Sequence, residues 1–198
     1  MKSIALHDGA RIAFQEWGSP SSMKKVLSLH GWLDNSNSFR LLAPQVAQHG
    51  YHCIAVDLLG HGHSSHLSKD AVYLSHKNIA TVREIVESLG WQKHSLVSHS
   101  MGAGISLLYS GVFPEIVEKL VLIEGFGPWT KPSNEAPLNL RHAIEAELRS
   151  GFRSATGSRK PKGYETLGSA IQTRIRNVAS YPGKQTLSYE AAKLLVSR

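Results

Sequence analysis

The run Leu96-Val97-Ser98-His99-Ser100-Met101-Gly102 puts one hydroxyl, that of Ser100, between an apolar stretch that reads as a buried strand and a stretch that reads as a helix. A serine used as a nucleophile must stand clear of its own backbone, near a helix N-terminus that stabilises developing negative charge. A sharp strand-to-helix turn does this at the cost of backbone strain. It demands small residues two before and two after the nucleophile, because the backbones nearly touch there. Ser98 and Gly102 meet that demand. The usual form is G-x-S-x-G, so Ser98 is a departure from it, tolerable at some steric cost. A Ser/Gly-rich turn with a capping serine would have the same composition. The placement between strand and helix is what favours the chemical reading.

The elements that would position this hydroxyl follow from periodicity. Ile4 to His7 and Arg11 to Trp17 flank Asp8-Gly9, a pair suited to the positive φ of a hairpin turn. Short apolar runs at 26–30, 52–57, 94–98 and 119–123 read as strands. Between them, Phe39, Leu42 and Val46 take helical spacing, with Pro44 starting or kinking the second half. Residues 73–89 form one apolar helix face through Ile79, Val82, Val86 and Leu89, and Gly90 supplies the stop. Residues 101–112 read as a third helix. Such alternation predicts a mostly parallel sheet covered by helices on both faces, with ligands at the carboxyl ends of the strands. After Phe126 the rhythm breaks into a loop running to Pro137. Helices then follow at 138–149 and 165–179 and from 188, with no strands between them.

Two further segments fall at strand ends: His30-Gly31-Trp32-Leu33-Asp34 and Asp57-Leu58-Leu59-Gly60-His61-Gly62-His63-Ser64. With Leu122-Ile123-Glu124-Gly125 after the third helix, they make an ordered set that resembles the α/β-hydrolase superfamily, and within it the serine-hydrolase-like group. The resemblance covers residues 3–130 well and continues more loosely to the end. It implies an α/β-hydrolase core over residues 1–128 and an incomplete helical cap over 129–198. It also implies a carboxylester-type acyl-enzyme mechanism on a small ester-like substrate, with no cofactor. Ser100 would attack the acyl carbon. The backbone N–H groups of Trp32 and Met101 would form the oxyanion hole. His30, Gly31, Asp57, Gly60, Gly62, Ser98 and Gly102 would shape the surrounding turns. The Trp32 side chain is either a wall of the acyl pocket or a packing aromatic.

The resemblance also exposes a gap. The family order is nucleophile, acid, histidine, yet no aspartate follows Ser100 and the one later histidine is His142, in the cap. Glu124 is the candidate acid; a rim or loop-capping glutamate is its plain alternative. His99 adjoins the nucleophile, but strand alternation points it the other way. The chain therefore reads as truncated within the cap, lacking the last core strands and the catalytic histidine. A non-catalytic protein with a binding role is the alternative, and an exposed sheet edge would favour self-association. A lesser alternative is a metal-dependent hydrolase using His61, His63 and His66. Its H-x-H-x-x-H spacing suits imidazole ligands, but the usual aspartate position is Ser65.

Composition adds bounds. The chain has 198 residues and a formal net charge of +7. The whole excess lies beyond residue 130, where Arg149, Arg153, Arg159, Lys160 and Lys162 run without an acid. Without interleaved aromatics this reads as a solvated basic loop rather than a nucleic-acid surface. Cys53, the only cysteine, reads as a small core residue. No signal peptide and no membrane span are expected. The location expected is intracellular and cytoplasmic, with organelle or vesicle association left open; the oligomeric state is not legible.

Overall fold

The computed structural model describes residues 2–66, 75–125, 132–150, 163–180 and 185–197. Six strands make one sheet: β1 (Lys2–Ala5), β2 (Arg11–Trp17), β3 (Lys24–Leu29), β4 (Tyr51–Val56), β5 (His94–His99) and β6 (Val117–Ile123). Their order is β1-β2-β4-β3-β5-β6. The first two strands run antiparallel to their neighbours, and β4, β3, β5 and β6 are mutually parallel. The helices are α1 (Leu42–Gln48), α2 (Ser75–Ser88), α3 (Met101–Val112), α4 (Ala136–Ser150), α5 (Leu167–Ala179) and α6 (Tyr189–Val196).

Side-chain alternation splits the sheet into two apolar layers. On one face, Leu27, Leu29, Ile54, Val56 and Leu96 join Val82 and Ile85 of α2 and Ile105 and Tyr109 of α3. On the other, Val26, Cys53 and Ala55 meet Phe39 and Ala43 at the start of α1. Cys53 is fully in this layer, and burial pushes its thiol up to about 11. Covered parallel strands explain why these segments read as continuous apolar runs.

The differences from the sequence expectation are local. The first hairpin closes on five residues, not on a two-residue turn. β1 ends at Ala5, Leu6 N–H donates to Ala10 O, and the Asp8 carboxylate accepts the Ala10 N–H. The stretch around Phe39 is a 3₁₀ turn at Ser36–Phe39 followed by α1, because the Asn35 side chain caps the Asn37 N–H and ends the loop early. The expected loop through Pro137 is shorter: α4 starts at Ala136, and Pro137 sits in its first turn, where a missing N–H costs nothing. Residues 73–74, 126–131 and 151–162, including most of the basic stretch, lie outside the described residues.

Candidate active site

Ser100 occupies the turn between β5 and α3. Its backbone sits at φ 49°, ψ −114°, a region that L-residues avoid and that stores about 1–3 kcal/mol of strain. The strain is held by neighbours. Ser100 N–H donates to Ile123 O at the end of β6 (3.0 Å), and Ser100 O accepts the N–H groups of Ala103 and Gly104 in the first turn of α3. The Ser100 side chain is exposed at the carboxyl end of the sheet. Met101 is the first residue of α3, so its N–H belongs to the set that no helical carbonyl satisfies.

The small residues around the turn are required by space. A Cβ on Gly102 would stand 2.6 Å from the Leu29 carbonyl carbon and closer still to its oxygen. One on Gly31 would stand 2.8 Å from His99 Nδ1 and 3.3 Å from Ser100 Cβ, so the loop after β3 lies directly against the Ser100 turn. One on Gly125 would stand 2.9 Å from Ser100 O. Ser98, in the place usually held by glycine, is buried, and its Oγ shares a 2.6 Å hydrogen bond with the buried Ser106 Oγ of α3. A hydroxyl is thus accommodated here by a second hydroxyl one helix turn into α3.

The two loops beside the turn brace each other. Asp57 is fully buried; its Oδ1 accepts Ser36 N–H (2.8 Å) and its Oδ2 accepts His63 N–H (2.9 Å). A Cβ on Gly62 would overlap this carboxylate, and Gly60 and Gly62 both take positive φ. His30 accepts Leu58 N–H at Nε2 and donates from Nδ1 to Gly31 O. His61 accepts Leu33 N–H at Nε2 (3.2 Å) and donates from Nδ1 to Leu59 O (3.0 Å). Both nitrogens of His61 are therefore committed to backbone, and desolvation pushes its pKa down. Among the described residues, no three His, Cys, Asp or Glu side chains converge as a metal site. Trp32 is half exposed and meets the His61 ring edge-on at 5.4 Å.

Glu124 lies in the turn directly after β6, exposed, with φ 51°. His142 is exposed on α4. His99 has its Nδ1 3.9 Å from Asp34 Oδ2, and its ring and Ser100 Cβ both lie within about 3.3 Å of the place a Gly31 Cβ would take. Among the described residues no imidazole is hydrogen-bonded to Ser100.

Asp34 closes the segment His30–Asp34, in which the motif assigns it no role of its own. It is buried, and Arg174 of α5 forms an ion pair with its Oδ1. Desolvation raises its pKa, and the charges of Arg174, then His99 and His61, oppose that rise. Asp34 and His99 are among the polar residues lining a pocket of about 330 Å³, whose apolar walls include Phe39, Leu42, Ile123 and Leu194. The sequence signal was the polar run Asp34-Asn35-Ser36-Asn37 beside a glycine-bearing loop; its partner is 140 positions away.

Comparison with known proteins fits this geometry. The family model of the alpha/beta hydrolase fold matches residues 24–150. A serine hydrolase-like protein of Danio rerio is 32% identical over 184 residues, covering 93% of this chain and 53% of that protein. Serine hydrolase-like protein 2 of Homo sapiens is 33% identical over 191 residues, covering 94% of this chain and 56% of that one. The chain spans about half the length of these relatives. Among solved structures, a hypothetical protein of Pseudomonas aeruginosa PAO1 has a TM-score of 0.83 at 40% identity, over 100% of this chain and 64% of that one. The thioesterase domain from the curacin biosynthetic pathway has a TM-score of 0.77 at 27% identity, over 99% of this chain and 66% of that one. A strained serine at the head of α3, a mostly parallel sheet in this strand order and these matches together make the chain a member of the alpha/beta-hydrolase superfamily.

Proposed function

We propose that Ser100 is the nucleophile of a serine hydrolase that acts on a small-molecule, ester-like acyl substrate. The observation that carries this reading is the backbone of Ser100: an L-residue held at φ 49° with its side chain exposed at the N-terminus of α3. Such strain persists only where neighbouring structure enforces it, and it belongs with function more often than with packing. The Met101 N–H, at the start of α3, and the Trp32 N–H, in the loop pressed against Ser100, are the oxyanion donors; losing one such donor in a hydrolase costs about 10²–10³ in rate. Glu124, at the end of β6, is the candidate orienting acid. Among the described residues beyond 129, α5 and α6 serve as a helical cap, reaching the loop that follows Trp32 through Arg174, Leu194 and Leu195.

Labelling with a fluorophosphonate tests the reading, because an activated serine displaces the probe's fluoride and becomes phosphonylated. Stoichiometric labelling that disappears in Ser100→Ala supports it, and Glu124→Gln should then slow labelling by about tenfold or more if it orients a base. A folded sample that does not label would favour the second reading, a binding protein built on a hydrolase fold. That reading draws on the fact that no described imidazole bonds Ser100. No helix among the described residues is long and apolar enough to cross a membrane.

A further inference from the structure

The loop from His30 to the 3₁₀ turn is held from two sides. From the core, Asp57 takes the Ser36 N–H and His61 takes the Leu33 N–H. From the opposite side, α5 and α6 grip three of the four residues at 34–37. Arg174 of α5 pairs with Asp34. The Asn35 side-chain amide donates to Leu195 O (2.8 Å), and that of Asn37 donates to Leu194 O (2.6 Å). These carbonyls lie in the last turn of α6, where helical carbonyls have no N–H of their own to accept. The strongest of the three contacts involves charge, and it lies nearest to Trp32.

Leu33 between them sits at φ 58°, a conformation that costs an L-residue about 1–2 kcal/mol. Its local supports are long: Leu33 N–H to His61 at 3.2 Å and Asp34 N–H to Gly31 O at 3.2 Å. A buried carboxylate left without its cation would turn toward water rather than stay, and the backbone of Asp34 is the end of the Leu33 turn. We propose that Arg174 is a positioning residue, whose ion pair with Asp34 latches α5 to the loop bearing Trp32 and thereby holds the Leu33 turn that aims the Trp32 N–H at Ser100. The catalytic half of this rests on Trp32 being an oxyanion donor; the latch itself does not.

Amide hydrogen exchange in the full chain separates the two. In Arg174→Gln, exchange at Leu33 and Asp34 should quicken by about tenfold or more, while Leu96 and Val97 of β5 stay within about twofold of the wild type. Arg174→Lys, which keeps the charge but not the planar fork, should fall between. The fluorophosphonate labelling rate at Ser100 should drop in the same order, Gln below Lys below wild type. Wild-type protein that does not label would sink the hydrolase reading and leave the exchange result to judge the latch. Unchanged exchange at Leu33 and Asp34, or a uniform rise that includes β5, would overturn the latch. If Arg174→Gln does not fold, Asp34→Asn decides: it removes the buried charge, so selective quickening at Leu33 supports the latch and its absence overturns it.

Discussion

Ser98 shows how one residue can depart from a motif and still serve it. A turn of the kind at Ser100 usually has glycine two residues earlier, and the sequence shows only that serine is small enough. Its Oγ reaches the Ser106 hydroxyl at 2.6 Å, and both side chains are fully buried. Ser98→Gly restores the usual pattern, yet it should destabilise the protein by about 1–3 kcal/mol, because the Ser106 hydroxyl is left buried and unpaired. Adding Ser106→Ala should recover most of that loss, since removing both partners of a buried hydrogen bond is nearly neutral. Urea unfolding of the three variants measures this; a Ser98→Gly protein as stable as the wild type would mean that the pair contributes nothing. What is legible in the sequence is geometry set within a few positions: the strained backbone at Ser100, the close approach at Gly102 and the positive-φ glycines after Asp57. Asp34 and Arg174 were not legible, because the hydrogen bond that defines them spans 140 positions.

At the scale of elements, strand–helix alternation is a strong signal because covered parallel strands are apolar throughout and the helices between them carry one apolar stripe. α3 falls on residues 101–112 as its pattern predicts, and β5 ends one residue later than the pattern suggests. Two of the ends that moved are set by side-chain hydrogen bonds, at Asn35 and Asp8, which hydropathy does not see. The crossing of α3 over β3 depends on Gly102, whose missing Cβ lets the helix lie against the Leu29 carbonyl. Gly102→Ala therefore sets two effects against each other. Alanine in a helix is worth about 1 kcal/mol over glycine. A Cβ this close to a backbone carbonyl forces α3 outward, and overpacking of this kind costs about 1–3 kcal/mol. Strain should win, with a net loss of about 1–2 kcal/mol and slower labelling of Ser100 as the elbow is displaced. A Gly102→Ala protein of raised stability would show that α3 can slide without penalty.

The whole molecule carries a liability toward acid that has nothing to do with Ser100. His94 begins β5, is fully buried against Trp91 and Tyr109, and has no hydrogen-bond partner on either ring nitrogen among the described residues. Desolvation, aided by the Arg83 charge, pushes its pKa down from 6.5 to about 4. Above pH 6.5 the ring is neutral in both folded and unfolded chains and stability does not depend on it. As pH falls from 6.5 toward 4, the unfolded chain takes up a proton that the folded chain refuses, so stability is lost through that window. The interval corresponds to about 3 kcal/mol, a large share of the 5–15 kcal/mol that typical domains possess. His61, shifted in the same direction by desolvation, adds to the slope, whereas Asp34, shifted upward, opposes it at lower pH. The variant His94→Leu isolates the first contribution. Its free energy of unfolding, measured by urea titration from pH 7.5 to 4.5, should fall less steeply than that of the wild type by close to one proton, with the two curves parallel above pH 7. Parallel curves throughout the range would mean that His94 accepts its proton in the folded state, by opening the Trp91–Tyr109 packing to water.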